Sequence, residues 1–296
     1  MGSTESAPQE ATLLGNPCLD RGETPVCVSL GKRSLSGTRP DYSSARLYLS
    51  RACLVNHPEA CNLFGEMLQE GRGGPIDLRR ATNALSVACE ADEHDACTRL
   101  ADTLLEENNP VRDPQRALNL LAKRCGEEPP VLESCERYGE TLAAGTGGVP
   151  ADPEAAMDVF SKACSAGLQS SCVRQAEAMM VDEPNEAFAQ SPALEEAGEL
   201  LRAACKEGEL DGCFTLGELE RDGKLAGASS VRAAMLFRAV CSADPARGCF
   251  EIAQLMEQGL VRSRKNEIAS LYSVACENGR TEACVRRNQL PNPAAE

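Results

Sequence analysis

An amphipathic helical pattern recurs along the chain, and each copy starts at a cysteine. A large apolar residue follows three positions after this cysteine, and a small residue follows at four. Positions 0, +3, +4 and +7 lie on one face of a helix, so the pattern predicts a short helix in each copy, here called helix A. The large residues are Leu30, Phe64, Leu100, Tyr138, Leu216 and Ile252, with Gln175 as the exception. The small residues are Gly31, Gly65, Ala101, Gly139, Ala176, Gly217 and Ala253.

A second helical pattern, helix B, follows each helix A after a loop rich in Gly or Pro. We expect it to begin at the capping residues Asp77, Asp113, Asp152 and Ser230. Its small residues near the start are Ala81, Ala117, Ala155, Ala197, Ala233 and Ala269. Its large residues four positions before the next cysteine are Leu85, Leu121, Phe160, Leu201, Phe237 and Tyr272. Because Gly in a helix costs about 1 kcal/mol relative to Ala, the recurring glycine of helix A predicts close contact with another helix.

The sixteen cysteines fall into eight pairs, and six pairs have seven residues between their members. The pairs are Cys18/Cys27, Cys53/Cys61, Cys89/Cys97, Cys125/Cys135, Cys164/Cys172, Cys205/Cys213, Cys241/Cys249 and Cys276/Cys284. Each pair joins the end of one helix B to the start of the next helix A, and Gly167, Gly208 and Gly279 stand where a left-handed C-cap favours glycine. We therefore predict eight disulfides, one at each junction.

Composition narrows the function classes. The 296 residues carry a net charge of −15, which disfavours nucleic acids and anionic membranes as partners. No segment is apolar enough to insert in a membrane. Trp is absent and aromatics make up 3%, so many thin Ala/Leu layers are expected in place of one thick core. We expect a monomer.

An even number of regularly spaced cysteines is typical of proteins from an oxidising compartment. Residues 1–17 contain no apolar run long enough for a signal peptide. We therefore expect a periplasmic or extracellular protein whose signal segment was removed, with Met1-Gly2-Ser3 left over from recombinant expression. Residues 1–17 are predicted to be a disordered segment, 18–287 a single repeat domain and 288–296 a polar tail.

The motifs resemble Sel1-like repeats, which are relatives of the tetratricopeptide repeat. They are Leu63-Phe64-Gly65, Gly71-Arg72-Gly73-Gly74, Ala81, Ala88-Cys89 and Ala96-Cys97. The regular cysteine pairs are similar to those of the Helicobacter cysteine-rich proteins. The resemblance implies an all-α fold: a right-handed α/α superhelical solenoid of about seven helical hairpins and a terminal helix, with disulfides between repeats. It also implies that helix A lines the concave side.

Two other functions are open. Some cysteine-rich relatives are described as β-lactamases or penicillin-binding proteins, and Ser29 and Lys32 match Ser-x-x-Lys, but no Lys-Thr-Gly or Ser-Asp-Asn motif follows. A redox, metal or haem-linked assembly factor is the second, because His57 and His94 each lie inside a cysteine pair. The other six pairs lack a histidine, so we predict no catalytic residue, no metal and no cofactor.

The candidate binding residues form an acidic row. The residue five positions after the helix A cysteine is acidic in five consecutive copies: Glu66, Asp102, Glu140, Glu177 and Glu218. On the concave side these side chains would bind a basic or N-terminal peptide segment. The competing interpretation is an ordinary solvated helix face. The favoured function is therefore an exported scaffold that binds proteins or peptides through its helix A face. The stretch from Val181 to Pro192 is a candidate partner-contacting insertion or a tolerated surface loop.

Overall fold

The computed structural model describes residues 17–93, 95–180, 191–264 and 266–290. Within these ranges the regular structure is helical throughout, as predicted, with sixteen α-helices and one short 3-10 helix at Thr146–Gly148. The helices are α1 Pro17–Arg21, α2 Thr24–Leu35, α3 Tyr42–Cys53, α4 Pro58–Glu70, α5 Leu78–Glu90, α6 Ala96–Leu105, α7 Pro114–Cys125, α8 Leu132–Ala144, α9 Pro153–Ser165, α10 Gln169–Met179, α11 Pro192–Lys206, α12 Leu210–Arg221, α13 Ser230–Ala243, α14 Pro245–Glu257, α15 Glu267–Glu277 and α16 Thr281–Gln289.

The even-numbered helices from α2 to α16 are the predicted A helices, and the odd-numbered helices from α3 to α15 are the B helices. The chain divides into two compact units, an N-terminal unit up to Asp152 and a C-terminal unit from Pro153. Each unit is described by itself. That residues 18–287 make a single domain stays a prediction.

In the N-terminal unit, each helix from α2 to α8 packs on the next one along the chain. Helix α4 also contacts α6, and α6 contacts α8, so successive A helices are neighbours. One continuous core runs from Cys18 to Leu121 and consists almost wholly of Ala, Leu and Cys side chains. The thin Ala/Leu layers predicted from composition are therefore present in this unit.

In the C-terminal unit, helices α9 to α16 also pack in chain order, but the core is divided into three clusters. Two of the clusters contain aromatic pairs. The rings of Phe214 and Phe237 have centroids 5.5 Å apart, and those of Phe250 and Tyr272 are 5.8 Å apart. Aromatic pairs thus fill two of the three core clusters of this unit.

The recurring glycine of helix A does have a packing role. A Cβ atom on Gly65 would lie 2.6 Å from Cγ of Leu85, and one on Gly217 would lie 2.7 Å from Cε1 of Phe237. Leu85 and Phe237 are the large residues four positions before the cysteine of helix B, and both are fully buried. The glycine therefore makes room for the large side chain of the following helix.

Three details of the predicted helix B register were wrong. The buried small residue of α9 is Ala156, not Ala155, and in α15 the side chain that packs in the core is Ile268, not Ala269. In helix B the core-facing positions lie four and eight residues before the cysteine, on one face of the helix. In α9 and α15 the small residue had been predicted one position away from the residue that faces the core. Helix α13 is capped by Ser229 rather than Ser230, without a side-chain capping bond.

All sixteen cysteines are paired, and the eight disulfides are those expected from the spacing. Seven join the end of a helix B to the first turns of the next helix A, and Cys18–Cys27 joins α1 to α2. Gly167, Gly208 and Gly279 have φ angles of +100°, +96° and +99°, which is the left-handed conformation that glycine tolerates.

Most of the helix A cysteines are buried in the core. Seven cysteines have at most 4% of their surface exposed: Cys18, Cys27, Cys61, Cys135, Cys172, Cys213 and Cys249. These cysteines are internal crosslinks, in keeping with the structural role predicted for them. Burial follows from the helical register, since position 0 shares the packed face with +3 and +4. A sulfur that is both buried and oxidised is a poor metal ligand or redox group.

Candidate functional site

The five acidic residues of the predicted row lie on five successive A helices, α4 to α12. Their side chains are partly buried, with between 19% and 39% of the side-chain surface exposed. Each of the five forms an ion pair with an arginine. Each acid of the row is thus partly neutralised by an arginine, and neither of the two sequence interpretations included these arginine partners.

In the N-terminal unit, an arginine two positions after the helix A cysteine links consecutive A helices. Arg99 Nη1 of α6 lies 3.3 Å from Glu66 Oε2 of α4. Arg137 of α8 donates from Nε and Nη2 to Asp102 Oδ1 of α6, at 2.9 and 2.6 Å. Its Nη1 also donates to Glu140 Oε2 at 2.8 Å. Glu66 and Asp102 therefore each tie their own repeat to the next one.

In the C-terminal unit, the corresponding link has the opposite polarity. Position +2 of α14 is Glu251, and its Oε2 accepts from Arg221 Nη1 of α12 at 2.6 Å. Arg221 also lies 3.8 Å from Glu218. In α10, Arg174 donates to Glu177 at 2.9 Å within the same helix. The tie between A helices is therefore kept here, although the donor and the acceptor have exchanged helices.

One cleft beside this network keeps an excess of carboxylates. It lies in the N-terminal unit between α6, α8 and the loop at residues 145–148, and it has a volume of about 700 Å³. Four acidic residues and one arginine line it: Asp102, Glu106, Glu107, Glu140 and Arg137. Since Arg137 is shared by Asp102 and Glu140, the exposed carboxylates of Glu106 and Glu107 give the cleft its net negative charge.

The loop that closes the cleft needs glycine. Gly147 has φ +65°, and a Cβ atom there would lie 2.6 Å from Cδ2 of Leu105. Burial raises the pKa of Asp102, and the hydrogen bond and charge of Arg137 oppose this shift only in part. An additional cation in the cleft would therefore stabilise the charged form of Asp102.

Sequence reasoning missed Glu106, Glu107 and the wall formed by residues 145–148. The arginines could have been found, because Arg99, Arg137 and Arg174 share position +2 in three consecutive copies. Their acidic partners could not be found in the same way, since the contact of Arg137 with Asp102 joins residues 35 positions apart.

Ser29 and Lys32 lack the features of a nucleophile and its base. Lys32 Nζ lies 2.5 Å from Glu59 Oε1 of α4, and this bond raises the pKa of Lys32. A catalytic base needs the opposite shift, towards neutral pH. Nothing in the surroundings of Ser29 favours the hydrolase interpretation.

The histidine between Cys53 and Cys61 has a structural contact. His57 is the N-cap of α4, and its Nδ1 accepts a hydrogen bond from the backbone N–H of Ala60 at 3.4 Å. The sulfurs of its two neighbouring cysteines are joined in a disulfide and are not thiolates. His94 and the candidate insertion at 181–190 lie outside the described residues.

The comparisons with known proteins agree with this architecture. The Sel1 repeat family model matches residues 27–57, 58–83, 94–123 and 132–168. Four stretches of the chain are therefore similar to the Sel1 repeat. Repeats of this kind present an extended surface to other proteins, and the architecture is consistent with such a role. No curated protein matches the chain.

Two solved structures share the Sel1 repeat fold. A protective antigen present in uropathogenic Escherichia coli strains, which displays an SLR fold, matches with a TM-score of 0.63 at 21% identity. That alignment covers 90% of this chain and 56% of the antigen, so the chain spans little more than half of its length. A Sel1 repeat protein from Oxalobacter formigenes matches with a TM-score of 0.69 at 19% identity, over 91% of this chain and 77% of that one.

Two further observations bear on the cellular setting. The eight disulfides indicate an oxidising compartment outside the cytoplasm, where such bonds persist. Among the residues that the structure describes, none of the helices has both the length and the apolar character to cross a bilayer.

Proposed function

We propose that this chain is an exported scaffold that binds a lysine- or arginine-bearing segment of another protein on the helix A face of its N-terminal unit. The observation that carries the proposal is the cleft between α6 and α8, where four carboxylates surround a single arginine. Export to the periplasm or the extracellular space follows from the need to keep eight disulfides oxidised.

The cleft suits a cationic side chain for two reasons. Glu106 and Glu107 are exposed and form no ion pair with another described residue, so an incoming ammonium or guanidinium group can bind them without displacing Arg137. Asp102 and Glu140 lie deeper, and their shared arginine leaves the local charge negative. Asp102 and Glu140 of the acidic row thus form the floor of the site. Glu106 and Glu107 supply the carboxylates that a cationic group can bind.

The binding test uses a short fluorescent peptide of alternating Lys and Ala, with its Glu-for-Lys counterpart as the negative probe. We expect the Lys peptide to bind in fluorescence anisotropy and Glu106→Gln/Glu107→Gln to weaken it about threefold to tenfold, as two partly exposed ion pairs contribute roughly 0.2–1 kcal/mol each. The matched control is Glu196→Gln/Glu207→Gln in the C-terminal unit, which changes the net charge equally at exposed positions.

The two double variants separate local from general attraction. Equal weakening by both would mean that the peptide responds only to the overall charge of −15, and it would contradict the proposed site. Equal affinity of the wild-type protein for the Lys and Glu peptides would contradict the basic partner.

A further inference from the structure

The outer face of α13 in the C-terminal unit is apolar and basic, although the chain as a whole is acidic. The sequence of α13 contains no Asp or Glu. Val231, Met235 and Arg238 share its outward face at i, i+4 and i+7, and Val231 and Met235 are 58% and 67% exposed. These two exposed apolar side chains, one turn apart, form a small apolar ridge, and the grooves beside it extend the apolar surface.

Two grooves flank this exposed ridge, and Met235 lines both of them. The first has a volume of about 560 Å³ and is also lined by Arg202, Leu216 and Arg232. The second has a volume of about 480 Å³ and is lined by Val231, Met256 and Val261, among others. A flexible, polarizable methionine between two grooves can adapt to an inserted apolar side chain.

Arginines dominate the charge of both grooves. Five line them, against two acids: Arg202, Arg232, Arg238, Arg262 and Arg264 against Glu220 and Glu267. In the first groove, Arg232 is bound to Glu220 through Nε and Nη2 at 2.9 and 2.8 Å. Glu220 is buried while the Arg232 side chain is 51% exposed, so the arginine and not the carboxylate of this pair faces the groove.

In the second groove, acidic residues do not neutralise all of the arginines. Arg238 Nη2 lies 3.6 Å from Glu267, whose Oε2 also accepts from the backbone N–H of Arg264. Arg262 and Arg264 are exposed, and their guanidinium groups form no ion pair with any residue that the structure describes. Unpaired arginines beside an apolar groove fit an anionic partner group, because guanidinium binds carboxylates in a bidentate manner.

We infer that the α13 ridge and its two grooves, here called the α13 surface, bind a segment of a partner protein in which a large apolar side chain is flanked by carboxylates. The apolar side chain inserts beside Met235, and the carboxylates pair with Arg262 and Arg264. Charge complementarity selects this occupant, since the surface is locally positive on a chain of net charge −15. The α13 surface shares no residue with the cleft between α6 and α8, so the two proposals stand or fall independently.

The experiment is a selection from a random-peptide phage library on the immobilised, oxidised protein. We expect the selected sequences to be enriched in Asp and Glu next to Leu, Met or Phe. An enriched peptide, synthesised with a fluorescent label, is then titrated against variants. Arg262→Gln/Arg264→Gln should weaken its binding about threefold to tenfold, and Met235→Ser should weaken it to a similar extent.

The matched control is Arg51→Gln/Arg79→Gln in the N-terminal unit, which removes the same charge from two exposed helix B arginines. It should leave the affinity unchanged. The inference is overturned if the library yields no peptides or only basic ones. It is also overturned if the control arginine pair weakens binding equally, or if vesicles of anionic phospholipid compete with the peptide.

Discussion

The two units share the same spacing of cysteine pairs, but they differ in their core side chains and in their ion pairs. In the N-terminal unit, leucine and alanine form one continuous core, and the two ties from Glu66 and Asp102 run from an acid to an arginine of the next repeat. In the C-terminal unit, aromatic pairs fill separate clusters, and the tie from α12 to α14 runs from an arginine to an acid. The Sel1 repeat match ends at residue 168, although the cysteine pairs continue to Cys284.

The difference shows which features the repeat constrains. The disulfide at each junction and the contact between the residue at +4 of helix A and the residue four before the cysteine of helix B occur in both units. The identity of the large side chain and the sign of each charge are free to vary. The fold therefore depends on a small set of positions, and the following predictions test how each unit responds when one is changed.

Reduction of the disulfides should have the largest effect and should affect both units. In the chain-entropy model, a closed loop of about nine residues contributes roughly 2–3 kcal/mol, and eight such loops exceed the usual stability of about 5–15 kcal/mol. We expect the reduced protein to lose most of its helical circular dichroism at room temperature. Retention of the full signal after complete reduction, verified by thiol titration, would show that the helix packing suffices without the disulfides.

Removing one disulfide from each unit compares how much the two units depend on their crosslinks. Cys89→Ser/Cys97→Ser and Cys205→Ser/Cys213→Ser should each lower the free energy of unfolding by about 2–3 kcal/mol, because both loops have the same length. Urea denaturation of the oxidised variants measures this. A much larger loss in one unit would mean that its core depends on the crosslink.

The helix A glycines should distinguish a leucine partner from an aromatic one. In Gly217→Ala the new methyl group meets the ring of Phe237, which packs on Phe214 and has little room to move. We expect a loss of about 2 kcal/mol from overpacking, and about 1 kcal/mol for Gly65→Ala, where Leu85 can change rotamer. Thermal denaturation compares them, and a stability gain in either variant would contradict the close helix contact.

Removing the arginine from an ion pair between A helices should destabilise the protein more when the carboxylate of that pair is more buried. Glu251 is only 10% exposed, whereas Asp102 is 30% exposed. Arg221→Met leaves the more buried carboxylate without its partner and should cost about 1–2 kcal/mol, against about 1 kcal/mol or less for Arg137→Met. Urea denaturation of both variants is the measurement. The reverse order would mean that burial does not set the strength of the ties.

The smallest effect expected is a pH dependence shared by the two units. Burial raises the pKa of Asp102 in one unit and of Glu218 in the other. The folded state therefore holds more protons than the unfolded state from about pH 4 upward to the folded pKa values, and the free energy of unfolding should increase as the pH falls through that window.

Urea denaturation at several pH values tests this, with Asp102→Asn and Glu218→Gln as single variants that should each reduce the pH dependence. Glu196→Gln serves as the exposed control and should leave it unchanged. A wild-type protein that loses stability as the pH falls from about 7 to 5 would contradict the assigned shifts.

The fold could be predicted from the spacing of residues that lie close together in the sequence. The pattern at 0, +3 and +4 located the A helices from α2 to α14, and the cysteine pairs located each junction, because both depend on residues a few positions apart. The charge network could not be predicted in the same way. Whether Asp102 meets Arg137 depends on which A helices are neighbours, and Glu251 reverses the charge at the same position. The sequence also did not show that Glu106 and Glu107 line a cleft, because the cleft forms only when α6 and α8 pack together.

The central functional proposal is that the cleft between α6 and α8 receives a cationic segment. Amide hydrogen exchange of the oxidised protein, with and without the Lys-Ala peptide, tests it most directly. We predict slower exchange on peptide binding in residues 96–107 and 132–148, with no change in residues 230–267. Protection confined to other regions, or none at saturating peptide, would contradict the proposal.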